Sequence, residues 1–317
     1  MESILAQTYP YIKVVLVDDG SQDNSGTICD EYAANPAVRV IHQTNKGLAG
    51  ARNTGIELAI KEAGEDLSGN LIAFVDSDDT IHPEMIAVLA QLYQITDAVI
   101  VGAQAKTVSE EETIVFEKID SENYELIPAH EFARLYLTHQ ASVSVCDKLF
   151  ELSLFRQLRF AQGRLNEDGL LLYEMILSHN CTYAHCPYPI YYYLMRNGSI
   201  TRSGFGKNIV DMVGNFLNIE KMTETYAGEL KKEANDNVLY ACAVFCNTVP
   251  LCFFAKKADT VVSTVIHEVR KRKKTIGNSD LKSRDKTMLK LFSVFPLCTI
   301  FLISCYRMIH FRKLANK

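Results

Sequence analysis

Apolar positions in the first half of the chain fall into short dense runs rather than helical stripes. Residues 12–17, 38–42, 71–75 and 98–101 each carry such a run, bounded by turn-forming residues. Runs of this length suit buried strands better than helices. Helical patterns lie between them: residues 25–32, with Ser25 as cap and Ile28, Cys29 and Tyr32 on one face; residues 46–60, opened by small side chains; and residues 83–93, starting at Pro83. Residues 1–8 read as the tail of an amphipathic helix stopped at Tyr9 and Pro10. Strand and helix in alternation predict an α/β fold with a mainly parallel, doubly wound sheet. Further along, 109–124 is acidic and polar and reads as a surface hairpin or insertion. Helices are expected at 129–138 and 170–177, and a tyrosine-rich strand at 188–194.

Two of these strands end in carboxylates. The run at 71–75 leads into Asp76, Ser77, Asp78 and Asp79, and the run at 12–17 into Asp18, Asp19, Gly20 and Ser21. In open α/β sheets ligands bind at the C-terminal ends of strands, and hard divalent cations take oxygen ligands from short loops. Asp76 and Asp78 are therefore candidate ligands for Mg²⁺ or Mn²⁺, with phosphate oxygens completing the shell. Capping of the next helix by Asp78 or Asp79 is the simpler alternative, worth roughly 1 kcal/mol, but it accounts for one acid of three. The segment from Lys46 to Asn53 opens a helix with Gly47, Ala49, Gly50 and Ala51, and Arg52 adds a planar donor fork. Helix–sheet packing explains those small residues as well as ligand contact does. Glu167 and Asp168 precede an almost wholly apolar helix. The helix dipole favours acids there, and partial burial would equally raise a carboxylate toward the pKa of a general base.

At 317 residues, 48% hydrophobic and with a net charge of −5, the chain exceeds one ordinary core, and nucleic acid is not a favoured partner. Nine scattered cysteines show no repeated zinc-type spacing, which suits a reducing cytoplasm. The opening residues lack the apolar core of a signal peptide.

Five segments in order carry a resemblance. They are residues 17–21, residues 46–53, Phe74 through Asp79, Asn166-Glu167-Asp168, and Tyr192-Tyr193 ahead of Ser199-Ile200. Over residues 1–203 the chain resembles glycosyltransferase family 2 of the bacterial surface-polysaccharide type. The resemblance implies a GT-A fold and an inverting transfer of sugar from a nucleotide-diphospho-sugar, UDP-sugar first, to a hydroxyl of a glycan or lipid-linked acceptor. Asp18, Asp19 and Arg52 would then bind the nucleotide, Asp76 and Asp78 the diphosphate and metal, and Asp168 would be the catalytic base. Asp79 would be a second carboxylate at its loop. Members of this family open with an apolar strand and turn ahead of a helix, whereas this chain starts within that helix. The domain is accordingly expected to lack its first strand, leaving residues 12–17 and 71–75 as interior strands short of a partner.

Residues 204–317 are expected to form a helical C-terminal region. The basic run at 269–274 reads as a solvated face. Residues 289–306 are strongly apolar but interrupted by Lys290 and Pro296, with Arg307, His310, Arg312 and Lys313 following. Too broken for a clean span, the segment 289–313 is expected to lie on the inner face of the cytoplasmic membrane. Two alternatives to sugar transfer stay open on sequence: a nucleotidyltransferase of similar topology, and a non-catalytic remnant.

Overall fold

The structure is a computed structural model that describes residues 1–195, 205–255 and 260–315, the backbone alone for 255 and 309–315. The chain divides into two compact units, Met1–Asn197 and Gly198–Lys317.

The first unit runs α1 (Glu2–Leu5), β1 (Val14–Asp18), α2 (Ser25–Tyr32), β2 (Val38–His42), α3 (Gly47–Ala63), β3 (Leu71–Ala73), β4 (Thr80–Ile81) and α4 (Met85–Ile95). It continues with β5 (Ile100–Ser109), β6 (Glu125–Ile127), α5 (Ala129–Leu137), β7 (Lys148–Glu151), α6 (Glu167–His179) and β8 (Tyr183–Met195). Its described strands form two sheets. β1 and β2 pair in parallel, Val14 opposite Val38 through Asp18 opposite His42. The larger sheet has the order β3-β7-β5-β8-β4, with β6 also on β8.

The α/β class and the GT-A-like layout agree with expectation, but the sheet is mixed rather than mainly parallel. Only β1 with β2 and β5 with β8 run parallel among the described strands, whereas β3–β7, β5–β7, β4–β8 and β6–β8 are antiparallel. The reversal centres on β7, which enters after α5 and an irregular loop and lies antiparallel to both its neighbours. Strand direction depends on connections that hydrophobic runs do not encode.

Burial also departs from the sequence pattern. β1 and β3 were expected to be buried, yet Val15, Leu16, Val17, Leu71, Ile72 and Ala73 are only half-buried. Each strand pairs on one side alone among the described residues, β1 with β2 and β3 with β7. β5, in contrast, outruns its apolar stretch. Residues 100–103 are buried and 104–107 exposed, and the ladder to β8 carries the strand on through register shifts at Gln104. Gly102 permits this packing, since a Cβ there would stand 2.8 Å from Lys148 Cγ. Behind β3, Phe74 packs edge-on against Phe150, Phe155 and Phe160, with 5.3 Å between the centroids of Phe74 and Phe160. That aromatic cluster fixes where β3 ends and its acidic turn begins.

Two helix details are corrected. Ser25 is the first helical residue of α2 rather than its cap; Asn24 is at that position, and the Ser25 N–H donates to Asp23 Oδ1 at 3.0 Å. Ile28 is exposed, and α2 buries none of its residues.

The second unit is helical: α7 (Lys207–Tyr226), α8 (Lys231–Thr248), α9 (Leu251–Ala255), α10 (Thr260–Lys271), α11 (Ser283–Val294) and α12 (Pro296–Ala315). Val213, Val238, Phe245, Val265, Leu289 and Phe292 are in its core. The basic run at 269–274 is not wholly a solvated face. Val269 and Arg272 are buried, and Arg272 is ion-paired with Glu220 and Glu268. Burial there is tolerable because each charge has a partner. Pro296 splits the apolar stretch into two helices and takes the first position of α12, where its missing N–H costs nothing. Among the described residues no helix is long and apolar enough to cross a membrane.

Candidate active site

The turn after β3 is fastened from within. The Asp79 N–H donates to the Asp76 carbonyl at 3.1 Å. The buried Asp79 carboxylate accepts the Tyr191 hydroxyl at 2.5 Å and the Leu194 N–H at 2.9 Å, while the Asp76 N–H donates to Tyr191 Oη at 3.2 Å. Asp79 therefore ties its turn to β8. Burial raises its pKa, and the donors Tyr191 and Leu194 oppose that rise. Two expectations are corrected here. Asp79 faces the interior rather than serving as a further open carboxylate, and neither it nor Asp78 caps α4, whose N-cap is Glu84. Asp78 is exposed and Asp76 half-buried on this anchored turn.

Ala49 and Gly50 are buried in the first turns of α3, and Arg52 projects from there into the interior, 9% exposed. Its Nη2 donates to Asp76 Oδ1 at 2.9 Å and contacts Cys146 Sγ at 3.6 Å; its Nη1 donates to Glu167 Oε1 at 3.3 Å. The guanidinium carbon is 5.3 Å from the centre of the Phe160 ring. One planar cation thus joins the β3 turn, the segment before β7 and the head of α6. Burial pushes the Cys146 thiol up to about 12, so it stays neutral beside Arg52.

Helix α6 starts after Asn166, which adopts a left-handed conformation with φ of 57°. Glu167 is buried. Asp168 is half-buried, and its Oδ1 accepts the Gly169 N–H at 2.8 Å. A Cβ on Gly169 would fall 2.8 Å from the Tyr136 hydroxyl, so α5 and α6 approach closely beside Asp168. Burial raises the pKa of both carboxyls, and the charge of Arg52 acts against the rise in each. This is the environment of a carboxylate poised as a proton acceptor.

The acids after β1 are engaged differently. Asp18 accepts the Ser21 N–H at 3.0 Å and meets His42 Nδ1 at 2.9 Å, while His42 Nε2 reaches Asp30 at 3.0 Å. The Ser21 hydrogen bonds, followed by that of His42, hold Asp18 at about 2. Asp19 accepts Gln43 Nε2 at 2.6 Å and the Lys46 N–H at 2.9 Å, and Gln43 in turn accepts the Thr54 hydroxyl at 2.7 Å. Gly20, with φ of 74°, lets the loop pass within contact of Asn45.

The structure brings Arg52, Asp76 and the Glu167–Asp168 pair together, and gathers Asp18 and Asp19 in a separate loop cluster. Sequence reasoning passed over Glu167 as the Arg52 partner, although it adjoins Asp168. It also passed over Tyr191 and Cys146, whose contacts join distant segments and leave no local pattern. Ser199 and Ile200 lie outside the described residues. Among the described residues no three His, Cys, Asp or Glu side chains converge as a metal cage. Half-buried Asp76 and exposed Asp78 could still hold Mg²⁺ or Mn²⁺, because a cation bound through nucleotide phosphates needs only one or two protein carboxylates.

The family model described as glycosyl transferase family 2 matches residues 1–157. Among curated relatives, glycosyltransferase GlyG of Streptococcus pneumoniae serotype 4 is 32% identical over 215 residues, covering 65% of this chain and 68% of GlyG. Glycosyltransferase GlyA of the same organism is 35% identical over 211 residues, 64% of this chain but 29% of GlyA. This chain thus aligns with less than a third of GlyA's length. Among solved structures, S. aureus TarS 1–349 in complex with UDP-GlcNAc superposes with a TM-score of 0.64 at 16% identity, covering 97% of this chain and 86% of that one. At that identity the likeness speaks for the fold.

Proposed function

The chain belongs to glycosyltransferase family 2, and from that membership we propose that it moves a sugar from a UDP-sugar to a hydroxyl of a glycan or lipid-linked acceptor in surface-polysaccharide synthesis. The observation that carries this reading is the Arg52 bridge from Asp76 to Glu167, with Asp168 beside it. It links the turn proposed to face the donor with the head of α6, where Asp168 is proposed to be the base. The complex of TarS with UDP-GlcNAc supports a UDP-sugar as donor.

Asp168 takes the proton of the attacking acceptor hydroxyl; its burial makes it a better proton acceptor than a solvated carboxylate. Attack from the face opposite the departing diphosphate inverts the anomeric carbon. Asp76 and Asp78 would hold Mg²⁺ or Mn²⁺, which when bound supplies positive charge to the diphosphate leaving group. Arg52 fixes Asp76 and biases Glu167 and Asp168 toward their ionised forms. Asp18 and Asp19 shape the loop that receives the nucleotide. The reaction is proposed to run at the inner face of the cytoplasmic membrane, where a lipid-linked acceptor would be presented.

The test is transfer from a panel of UDP-sugars alongside titration of UDP. Asp168→Asn is expected to lower turnover by about 10²–10⁴-fold with UDP affinity unchanged. Near-normal turnover would reduce Asp168 to a helix-terminal acid. In the same titration Mn²⁺ should tighten UDP binding and Asp78→Ala should abolish that gain; equal affinity in the variant would withdraw the metal role.

A further inference from the structure

We propose that the exposed face of α11 and α12 is a docking surface for anionic lipid, which gives the membrane location proposed above a specific structural basis. Residues 291–306 contain no charged side chain. Much of the stretch is turned outward: Phe295 is 61% exposed, Leu297 51%, Phe301 52% and Leu302 62%. Leu297, Phe301 and Met308 recur at helical spacing along α12, and Leu291 and Val294 continue the apolar surface on α11. A groove of about 430 Å³ runs between the two helices, lined by Arg284, Met288, Leu291, Thr299, Leu302 and Ile303. An apolar surface of this extent on an exposed helix pair marks an interaction site.

Charge selects the occupant. The last 49 residues hold 13 of the chain's 33 Lys and Arg but only two of its 38 Asp and Glu. The rest of the chain is correspondingly acidic. On α11 and just ahead of it, Lys282, Arg284 and Lys290 are exposed, and the Arg284 guanidinium stands 5.2 Å from the Tyr306 ring centre at one end of the apolar face. Two copies meeting through this face would bring like charges together, whereas an anionic bilayer surface complements both the cations and the apolar side chains. Because neither helix is able to span, they would lie in the interfacial plane with the α11–α12 junction at Pro296 inserted. One cation that sequence assigns to the membrane is removed from that role. Arg307 turns inward and donates to the carbonyls of Asn247, Thr248 and Val249, where it caps the end of α8.

The test is co-sedimentation of the full chain with vesicles of phosphatidylglycerol and phosphatidylcholine against vesicles of phosphatidylcholine alone. Binding is expected to be roughly tenfold or more tighter on the anionic vesicles and to weaken as salt rises. Phe301→Ser with Leu302→Ser, and separately Lys282→Glu with Lys290→Glu, should each lower it by roughly tenfold; all four side chains are exposed, and thermal melting checks that the variants stay folded. Absence of binding to anionic vesicles, or equal binding to both, overturns the proposal. So does a concentration-dependent dimer, seen by sedimentation, that Phe301→Ser with Leu302→Ser dissolves. No nucleotide enters this assay, so its failure leaves the sugar-transfer reading standing.

Discussion

The turns that close β1 and β3 look alike in sequence, each an apolar run ending in adjacent acids, yet the fold uses them in opposite ways. After β1, Asp18 and Asp19 spend their oxygens on the loop itself, on Ser21, His42, Gln43 and Lys46. After β3, one acid, Asp79, is sunk into the sheet as an anchor, while Asp76 is held by Arg52 and Asp78 is exposed. The proposed metal-binding acids thus fall where some other group does the structural work. At β3 that group is the Tyr191–Asp79 pair; at β1 the clustered acids hold the loop in shape themselves.

The strongest way to break this contrast is Arg52→Met. It would leave Glu167 buried without its cation and loosen Asp76, at a cost of about 3–5 kcal/mol in unfolding free energy measured by denaturant titration. A loss below about 1 kcal/mol would mean that Arg52 only decorates the site. Next in size is Tyr191→Phe, which removes one donor from buried Asp79. About 1–3 kcal/mol of stability should go, and UDP affinity should fall with it because the turn loses its tie to β8. Unchanged UDP affinity would uncouple the anchor from the site. Asp18→Asn should have the smallest effect. Asp18 has its pKa lowered, so its contribution exists above the unfolded value near 4 and is lost as pH falls toward 2. His42 has its pKa raised, chiefly by its hydrogen bond to Asp18, so its contribution exists below about 6.5 and is lost as pH rises through the raised value. The gap in melting temperature between native chain and variant should therefore be widest from about pH 4 to 6.5. A gap that keeps widening above pH 8 would contradict this pairing.

Much of the layout was legible from residue pattern, for physical reasons that also mark its limits. Helices α2, α3, α4 and α5 follow from local periodicity, and β1 and β2 from short apolar runs. The direction of β7 was not legible, because its reversal depends on the path taken after α5. Nor was the ten-residue length of β5, whose exposed half is held by pairing with β8 rather than by its own apolar residues. In the site, the acids at Asp76, Asp78 and Asp168 stood out as carboxylates placed after or before apolar runs. Cys146 and Tyr191 did not, and Glu167 stood out as an acid but not as the partner of Arg52, since each acquires its role from a partner 94 to 115 positions away. Arg52 was visible as a donor fork. Its burial between two acids was not, because nothing near it in sequence shows that α6 comes to meet it.

The coupling of Arg52 to the carboxylates at the head of α6 is most directly read from the pH dependence of kcat/KM for sugar transfer. A base must be ionised to accept a proton, so on the role proposed for Asp168 the rate rises with pH through its pKa, which burial raises above that of a solvated carboxylate. Arg52 opposes the rise. The expected result is that Arg52→Met moves the acid limb to higher pH, while Arg52→Lys, which keeps the charge, leaves it near the native position. Identical limbs in all three proteins would contradict the coupling and leave Arg52 a packing residue.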